Sequence, residues 1–177
     1  MPYSPIPELN ALWSLQQREG FEEYAKGFGL TEYADPSGLI AGWSKDQAFL
    51  SRLIPFAQAN GSGSFYALWR FDDRPDLATL PVVVFGDEGG QHVVARNLRE
   101  LFQLLACNVE ISVDCEEAYF YQDEDDDLDV NDEYVEWLAS AFGLTSPEDP
   151  ALIVATAQAE FGEPFATWSA PFLTPSS

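Results

Sequence analysis

Apolar residues alternate in an extended pattern near the middle of the chain. One face of this stretch carries Phe65, Ala67, Trp69 and Phe71, and the other face carries Tyr66, Leu68 and Arg70. Successive side chains of a strand point to opposite faces, so the spacing predicts a strand that is buried on one face and largely buried on the other. Such a strand belongs in the centre of a sheet.

Three shorter apolar runs flank this central strand, at Leu53–Ala57, Val82–Phe85 and His92–Ala95. Glycine-rich turn residues stand at 60–63 and 86–90, where they tolerate the positive φ of tight connections. The four runs therefore predict a four-stranded antiparallel meander. Pro55 has no amide donor for a strand ladder, so it is expected to push its strand toward an edge or a bulge.

A helix is predicted directly after the meander. Asn97 can cap it and Glu100 is its third residue, a spacing in which the cap and the carboxylate satisfy each other's free backbone donors. The apolar residues of this segment form one stripe, so the helix should lie across the sheet. The stripe consists of Leu98, Leu101, Phe102, Leu104 and Leu105.

The stretches GSGSFYALWRFDD, LPVVVFGDEGG, VVAR and NLRELFQLLA follow one another in an order that resembles the SUKH superfamily. This superfamily contains the Smi/Knr-like cell-wall-assembly regulators and bacterial immunity proteins. The resemblance covers roughly a third of the chain and rests on glycines, aromatics and aliphatics, so it brings no catalytic residue. It implies an α+β domain that binds other proteins and, in bacteria, often one that neutralises a toxin.

The N-terminal part is predicted to be helical from Glu8 to Phe28, as one long helix or two short ones, with a break at Gly20 and a stop at Gly27 or Gly29. Residues 31–47 are punctuated by glycine and proline. They are expected to be irregular, or to form a weak edge strand around residues 39–41.

The C-terminal part is predicted to contain strands at 108–114 and 119–121 and a helix that begins at residues 131–133 and ends at Gly143. Ser146 as cap and Pro147 as first residue indicate another helix, running to Phe161 and stopped by Gly162. The aromatic tail, with Phe165, Trp168 and Phe172, should fold back onto the core, because it would otherwise expose a large apolar patch.

We therefore expect one SUKH-like α+β domain over residues 1–177, with an antiparallel or mixed sheet of about four to six strands and N- and C-terminal helices packed on it. The length of 177 residues and the 46% apolar content fit one globular domain. Cys107 and Cys115 form no CxxC pair, and no secretory leader or membrane-length apolar run is present. A reduced, cytoplasmic setting is expected.

Charge narrows the choice of partners. The chain has a net charge of −22, and all eight basic residues lie in residues 1–99, together with twelve acidic ones, whereas residues 100–177 hold eighteen acidic residues and no basic one. Such a surface cannot neutralise phosphates, which argues against nucleic acid and anionic membranes as partners. Another protein, of basic character, is the expected partner.

Catalytic signatures are weak. The single histidine, His92, falls in a predicted strand, no nucleophile elbow or Cys/His signature occurs, and the glycine-rich turns lack the lysine of a phosphate loop. We expect no catalytic residue and no cofactor. A carboxylate-dependent hydrolase is the alternative from another class, although acids are so abundant that no pair stands out.

A calcium site is the second alternative. Counted from Asp125, an EF-hand-like spacing places ligands at Asp125, Asp127, Asp129, Asn131, Glu133 and Glu136. Position six of that loop requires glycine for a sharp turn and is Val130 here. The segment before it is predicted to be a strand and not an entering helix. No dedicated metal site is therefore expected.

An acidic segment remains as the candidate binding surface. Its candidate partner-binding residues are Asp114, Glu116, Glu117, Asp123, Glu124, Asp125, Asp126, Asp127 and Asp129. A block of like charge either solubilises a domain or forms an interaction surface that speeds encounter with a basic protein. Together with the resemblance, the acidic charge favours a non-enzymatic, immunity-type protein that acts inside the cell. Such a protein would neutralise a basic toxin, for example a nuclease. A regulatory scaffold of the same family is the alternative.

Overall fold

The computed structural model describes residues 3–20, 28–59, 63–86, 90–106, 110–113, 118–121, 132–145, 147 and 149–173, with backbone alone at 110–113, 118–121 and 173. These residues form an α+β structure with a five-stranded antiparallel sheet and a separate two-stranded one. The predicted fold class is confirmed. No helix of the described residues is long and apolar enough to cross a membrane.

The main sheet is a meander whose strands follow one another in chain order. Its strands are β1 (Gly29–Leu30), β2 (Leu53–Gln58), β3 (Phe65–Trp69), β4 (Val82–Phe85) and β5 (Gln91–Ala95), and the second sheet pairs β6 (Glu110–Val113) with β7 (Ala118–Tyr121). The four predicted meander strands and the two later strands are confirmed. β1 is a fifth strand at the edge, where the sequence indicated the end of a helix.

Pro55 produces the predicted irregularity inside β2. The register between β2 and β3 shifts between Pro55 and Ala57, which is a β-bulge at the residue that lacks an amide donor. β2 nevertheless pairs on both sides, with β1 and with β3. The bulge therefore accommodates Pro55 in a strand that is paired on both sides, and β2 does not lie at the edge of the sheet.

Seven α-helices are described, and a π-helix joins the last two. They are α1 (Pro7–Glu19), α2 (Ser37–Gly42), α3 (Gln47–Leu50), α4 (Leu98–Leu105), α5 (Asp132–Phe142), α6 (Pro150–Ala157), the π-helix (Gln158–Gly162) and α7 (Glu163–Leu173). The predicted break after α1 is confirmed, because Gly20 follows it with a φ of 106°, which suits glycine. Gly143, with a φ of 68°, ends α5 as predicted.

The sheet separates two hydrophobic cores. Along β3, Tyr66 and Leu68 enter the first core, whereas Ala67 and Trp69 enter the second. α1, α4 and α5 cover the first core, and α2, α3 and α7 cover the second. The predicted alternation of β3 is therefore confirmed. Its nearly complete burial follows from its having helices on both faces.

The start of α4 corrects one detail of the prediction. The Asn97 side chain accepts a hydrogen bond from the Glu100 amide at 2.9 Å, as expected for the cap. The Glu100 carboxylate, however, accepts a hydrogen bond from the Arg96 amide at 2.9 Å and pairs with the Arg96 guanidinium. It therefore does not make the expected reciprocal hydrogen bond with the Asn97 amide. The positive charge of Arg96 attracts the Glu100 carboxylate to the residue before Asn97. The predicted apolar stripe of α4 is fully buried.

Two elements differ from the predictions. Residues 39–41 belong to the short helix α2 and form no edge strand, because only Leu39 is directed to the core while Ile40 is exposed. The sixth helix starts at Pro150, with Asp149 as the cap accepting from the Ala151 amide at 3.1 Å. Asp149–Pro150 repeats the cap–proline pattern of Ser146–Pro147 three residues later.

Gly162 does not stop the C-terminal helix. Its φ is not positive, and the π-helix carries the chain through it into α7. The aromatic side chains of α7 explain the continuation, because Phe165 is buried in the second core and Trp168 stacks on Phe49 with ring centroids 5.5 Å apart. The predicted return of the aromatic tail to the core is thus confirmed, as a continuous helix.

Candidate functional site

An acidic groove lies between α1 and α5. Its volume is about 490 Å³, and its polar lining consists of Arg18, Glu19, Glu133, Glu136 and Ser140, with Trp137 beside them. We call these six residues the acidic groove. Three of them are carboxylates and one is a cation, so the groove is net negative.

Helical periodicity places these side chains together. On α5, Glu133, Glu136, Trp137 and Ser140 recur at spacings of three and four, which is one helix face, and on α1 Arg18 and Glu19 occupy the last turn. The remaining face of α5 is anchored in the first core by Tyr134 and Leu138. The groove is thus formed by two helices that the core holds in place.

Two carboxyl groups meet across the groove. The side chains of Glu19 and Glu133 share a hydrogen bond, and this bond, followed by desolvation and the charge of Glu133, raises the pKa of Glu19 above its ordinary value of 4.5. Neighbouring Arg18 opposes the shift. Like charges at such short range disfavour double ionisation, so Glu19 holds its proton to a higher pH than a lone surface carboxyl does.

Trp137 gives the groove an aromatic wall. Its half-buried ring lies 5.6 Å from the Tyr134 ring and 5.4 Å from the Phe142 ring, nearly perpendicular to the latter. A cation over an aromatic face is attracted by the ring quadrupole, more strongly when carboxylates stand nearby. The groove therefore has the chemistry to receive a lysine or arginine side chain.

The same pair of carboxyls bears on the hydrolase alternative. Two carboxyls do converge in a concave site, as a glycoside-type hydrolase requires. Glu133 is exposed, however, and the pKa of Glu19 is raised mainly by its carboxyl partner and only secondarily by desolvation. Catalytic acids of this type are held protonated by burial in apolar pockets. Glu19 does not have the apolar burial that holds such an acid protonated.

Metal ligation finds little support among the residues with described positions, where no group of three or more His, Cys, Asp or Glu side chains could hold an ion. Of the EF-hand-like set, Glu133 and Glu136 lie on α5, while Asp125, Asp127, Asp129 and Asn131 fall outside the described residues. β7 is a strand, as predicted, and not the entering helix of an EF-hand. His92 lies in β5, opposite Val84.

The predicted partner-binding residues all lie outside the described residues. They are Asp114, Glu116, Glu117, Asp123, Glu124, Asp125, Asp126, Asp127 and Asp129. The acidic groove is a second acidic feature close to them in sequence, because α5 begins at Asp132.

Sequence reasoning did not single out Glu19 or Trp137. The Glu133–Trp137 spacing of four residues on a predicted helix was a usable signal for α5. Nothing in the spacing indicated that the last turn of α1 lies against it, since that contact depends on how the two helices pack in the first core.

Comparison with known proteins gave no match: no family model, no curated protein and no solved structure resembles the chain significantly.

Proposed function

We propose that this chain is a non-enzymatic protein-binding module that receives a basic partner protein in the acidic groove. The observation that carries the proposal is the acidic groove, in which the carboxyl of Glu133 lies close enough to Glu19 to raise the pKa of Glu19. A lysine or arginine of a partner would take the place of the shared proton and relieve the repulsion. Binding would then be strongest where both carboxyls are ionised.

The charge of the whole chain supports the same partner. A net charge of −22 creates a long-range field that speeds association with a basic protein and slows association with an acidic one. Nuclease toxins need cationic clefts to hold phosphates, so a basic toxin is a fitting partner. Together with the SUKH-like order of the sequence, this favours an immunity-type protein that acts inside the cell. A regulatory scaffold of the same family would use the groove in the same way.

A binding experiment with matched variants tests the proposal. The partner is obtained by pulldown from the source cell, or as the product of a neighbouring gene, since an immunity gene is expected beside its toxin gene. The variant Glu133→Gln/Glu136→Gln removes two charges from the groove. The control Glu160→Gln/Glu163→Gln removes two charges from the C-terminal helical segment, outside the groove.

We expect the groove variant to lower the association rate at low salt by about ten-fold and the control to change it much less. The difference should shrink as salt shortens the screening length to about 8 Å near physiological strength. Equal rates for the two variants would overturn the groove as the contact site.

The acidic segment is tested separately by changing Asp123, Asp125, Asp126 and Asp127 to Asn. A slower association in this variant would assign steering to the segment. Unchanged rates would leave it a solubilising role.

A further inference from the structure

A second groove borders α1 at Trp13 and Gln16. Its volume is about 530 Å³, and Tyr3, Trp13 and Tyr33 form its walls, with Gln16, Leu30 and Glu32 beside them. We call it the aromatic groove. The three rings are half-buried and therefore present part of their surface to solvent.

The rings form a ledge and a wall. Tyr3 and Trp13 are stacked, with centroids 4.9 Å apart and planes at 13°, while Tyr33 stands at 73° to Tyr3 with centroids 6.0 Å apart. The Tyr3 hydroxyl shares its single proton between the Phe56 carbonyl, at 2.8 Å, and the Thr31 carbonyl. These bonds tie the ledge to the sheet edge, so the groove is preformed.

Two hydrogen-bond donors remain available on these walls. Within the described part of the chain, no acceptor bonds to Trp13 Nε1 or to the Tyr33 hydroxyl. Burial raises the pKa of Tyr33, and Arg70 only partly opposes it, so this hydroxyl stays protonated and can donate. The positive charge of Arg70 also acts on Tyr33 and would repel a ligand cation. The Tyr33 hydroxyl is therefore better suited to bind a carbonyl oxygen of a ligand.

The neighbouring sheet edge is closed to strand addition. The Gln16 side chain accepts from the Leu30 amide at 2.7 Å and donates to the Leu30 carbonyl at 3.2 Å. Both outward-facing backbone groups of Leu30 are therefore occupied. A peptide in the aromatic groove cannot pair with this residue as an extra β-strand, the usual mode at an exposed edge.

We propose that the aromatic groove binds a proline-rich segment in the polyproline II conformation, with a basic residue beside the prolines, from a partner protein. Such a segment has no internal hydrogen bonds, so its carbonyls are free to accept from Trp13 and Tyr33, and its proline rings pack on the aromatic ledge. Glu32, exposed at the groove, pairs with the basic residue, in keeping with the charge of −22. The inference does not depend on the acidic groove.

Nuclear magnetic resonance tests it with three synthetic peptides: six prolines followed by two arginines, a glycine–serine chain of the same length with two arginines, and six prolines followed by two glutamates. The readout is the indole N–H signal of Trp13 in the full chain, assigned with Trp13→Phe. We expect saturable shifts with the proline–arginine peptide and weaker binding of the other two.

The variants separate the contacts. Tyr33→Phe keeps the ring and removes its hydroxyl donor, and Trp13→Phe replaces the indole by a phenyl ring and removes the Nε1–H donor. Each should weaken binding of the proline–arginine peptide about three- to ten-fold. Binding to Trp13→Phe, which lacks the indole signal, is measured by isothermal titration calorimetry. Glu32→Gln should weaken it as well, while Glu163→Gln, an exposed acid on α7, should not.

Two results would overturn the inference. One is equal binding of the glycine–serine and proline–arginine peptides. The other is no Trp13 shift while the Trp137 signal moves, which would place the contact in the acidic groove and leave the proposed function standing.

Discussion

The hydroxyl of Tyr134 donates a hydrogen bond of 2.6 Å to the main-chain carbonyl of Phe102. Tyr134 is 1% exposed, and Phe102 is fully buried. This bond ties α5, which carries four of the six residues of the acidic groove, to α4 in the first core. The position of the groove thus depends on a contact that no charged residue makes.

Tyr134→Phe should lower the free energy of unfolding by about 0.5–1.5 kcal/mol, because it removes this hydrogen bond and keeps the ring. Leu138→Ala, on the same buried face, should cost about 2–5 kcal/mol through the cavity it leaves. Urea titrations of both variants measure the two values. A Tyr134→Phe protein as stable as the wild type would show that the bond does not hold α5.

Trp69→Ala should cost about 3–5 kcal/mol, because Trp69 is 3% exposed and packs on Phe165 and Trp168 in the second core. Trp69→Phe is the matched control. The indole Nε1 has no partner among the described residues, so the control loses no hydrogen bond and should cost less than about 1.5 kcal/mol. Urea unfolding measures the stability of both variants. If Trp69→Ala were as stable as Trp69→Phe, the assignment of Trp69 to a buried central strand would be wrong.

Gln16→Ala should both destabilise the protein and open the edge of β1. Two hydrogen bonds to Leu30 are lost, at about 0.5–1.5 kcal/mol each, and the freed backbone groups can pair with another chain. We expect a lower melting temperature and concentration-dependent self-association in sedimentation experiments. Gln17→Ala changes an exposed neighbour and should do neither. A monomeric Gln16→Ala protein at high concentration would argue against edge protection.

Glu19 should make stability depend on pH. Since the pKa of Glu19 is raised in the folded state, its contribution is present below its ordinary value of 4.5 and is lost as pH rises through the raised value. Glu19→Gln mimics the protonated form. The variant should therefore melt at a higher temperature than wild type at about pH 7, and this difference should vanish at about pH 4. Thermal melts across this range check it, and a constant difference would contradict the carboxyl pairing.

Local patterns were enough to predict most elements of this fold. The alternation in β3, the bulge at Pro55, the cap at Asn97 and the glycine that ends α1 each depend on residues close in sequence, and all were predicted. The sequence predicted Ser146 as the cap of α6, whereas Asp149 caps it. Both residues precede a proline, so the local cap–proline pattern does not distinguish them.

The candidate site was much less predictable. Net charge indicated a basic partner, but the acidic groove needs Glu19 and Glu133 to meet across two helices far apart in the chain. The aromatic groove likewise joins Tyr3 and Trp13 to Tyr33 only after β1 pairs with β2. These side-chain contacts depend on tertiary packing, which cannot be read from hydrophobic periodicity or composition.

The π-helix at Gln158–Gly162 gives the C-terminal helix one turn in which its residue count can change. A π turn holds one residue more than an α turn, so deleting a single residue there would restore regular helical geometry. The side chains beyond that deletion would keep their direction, and Phe165 and Trp168 would still face Trp69 and Phe49. Deleting one residue within the regular turns of a helix would instead rotate every later side chain by about 100° around the helix axis. A loss of one residue should therefore be tolerated in the π turn far better than in the α-helical turns on either side of it.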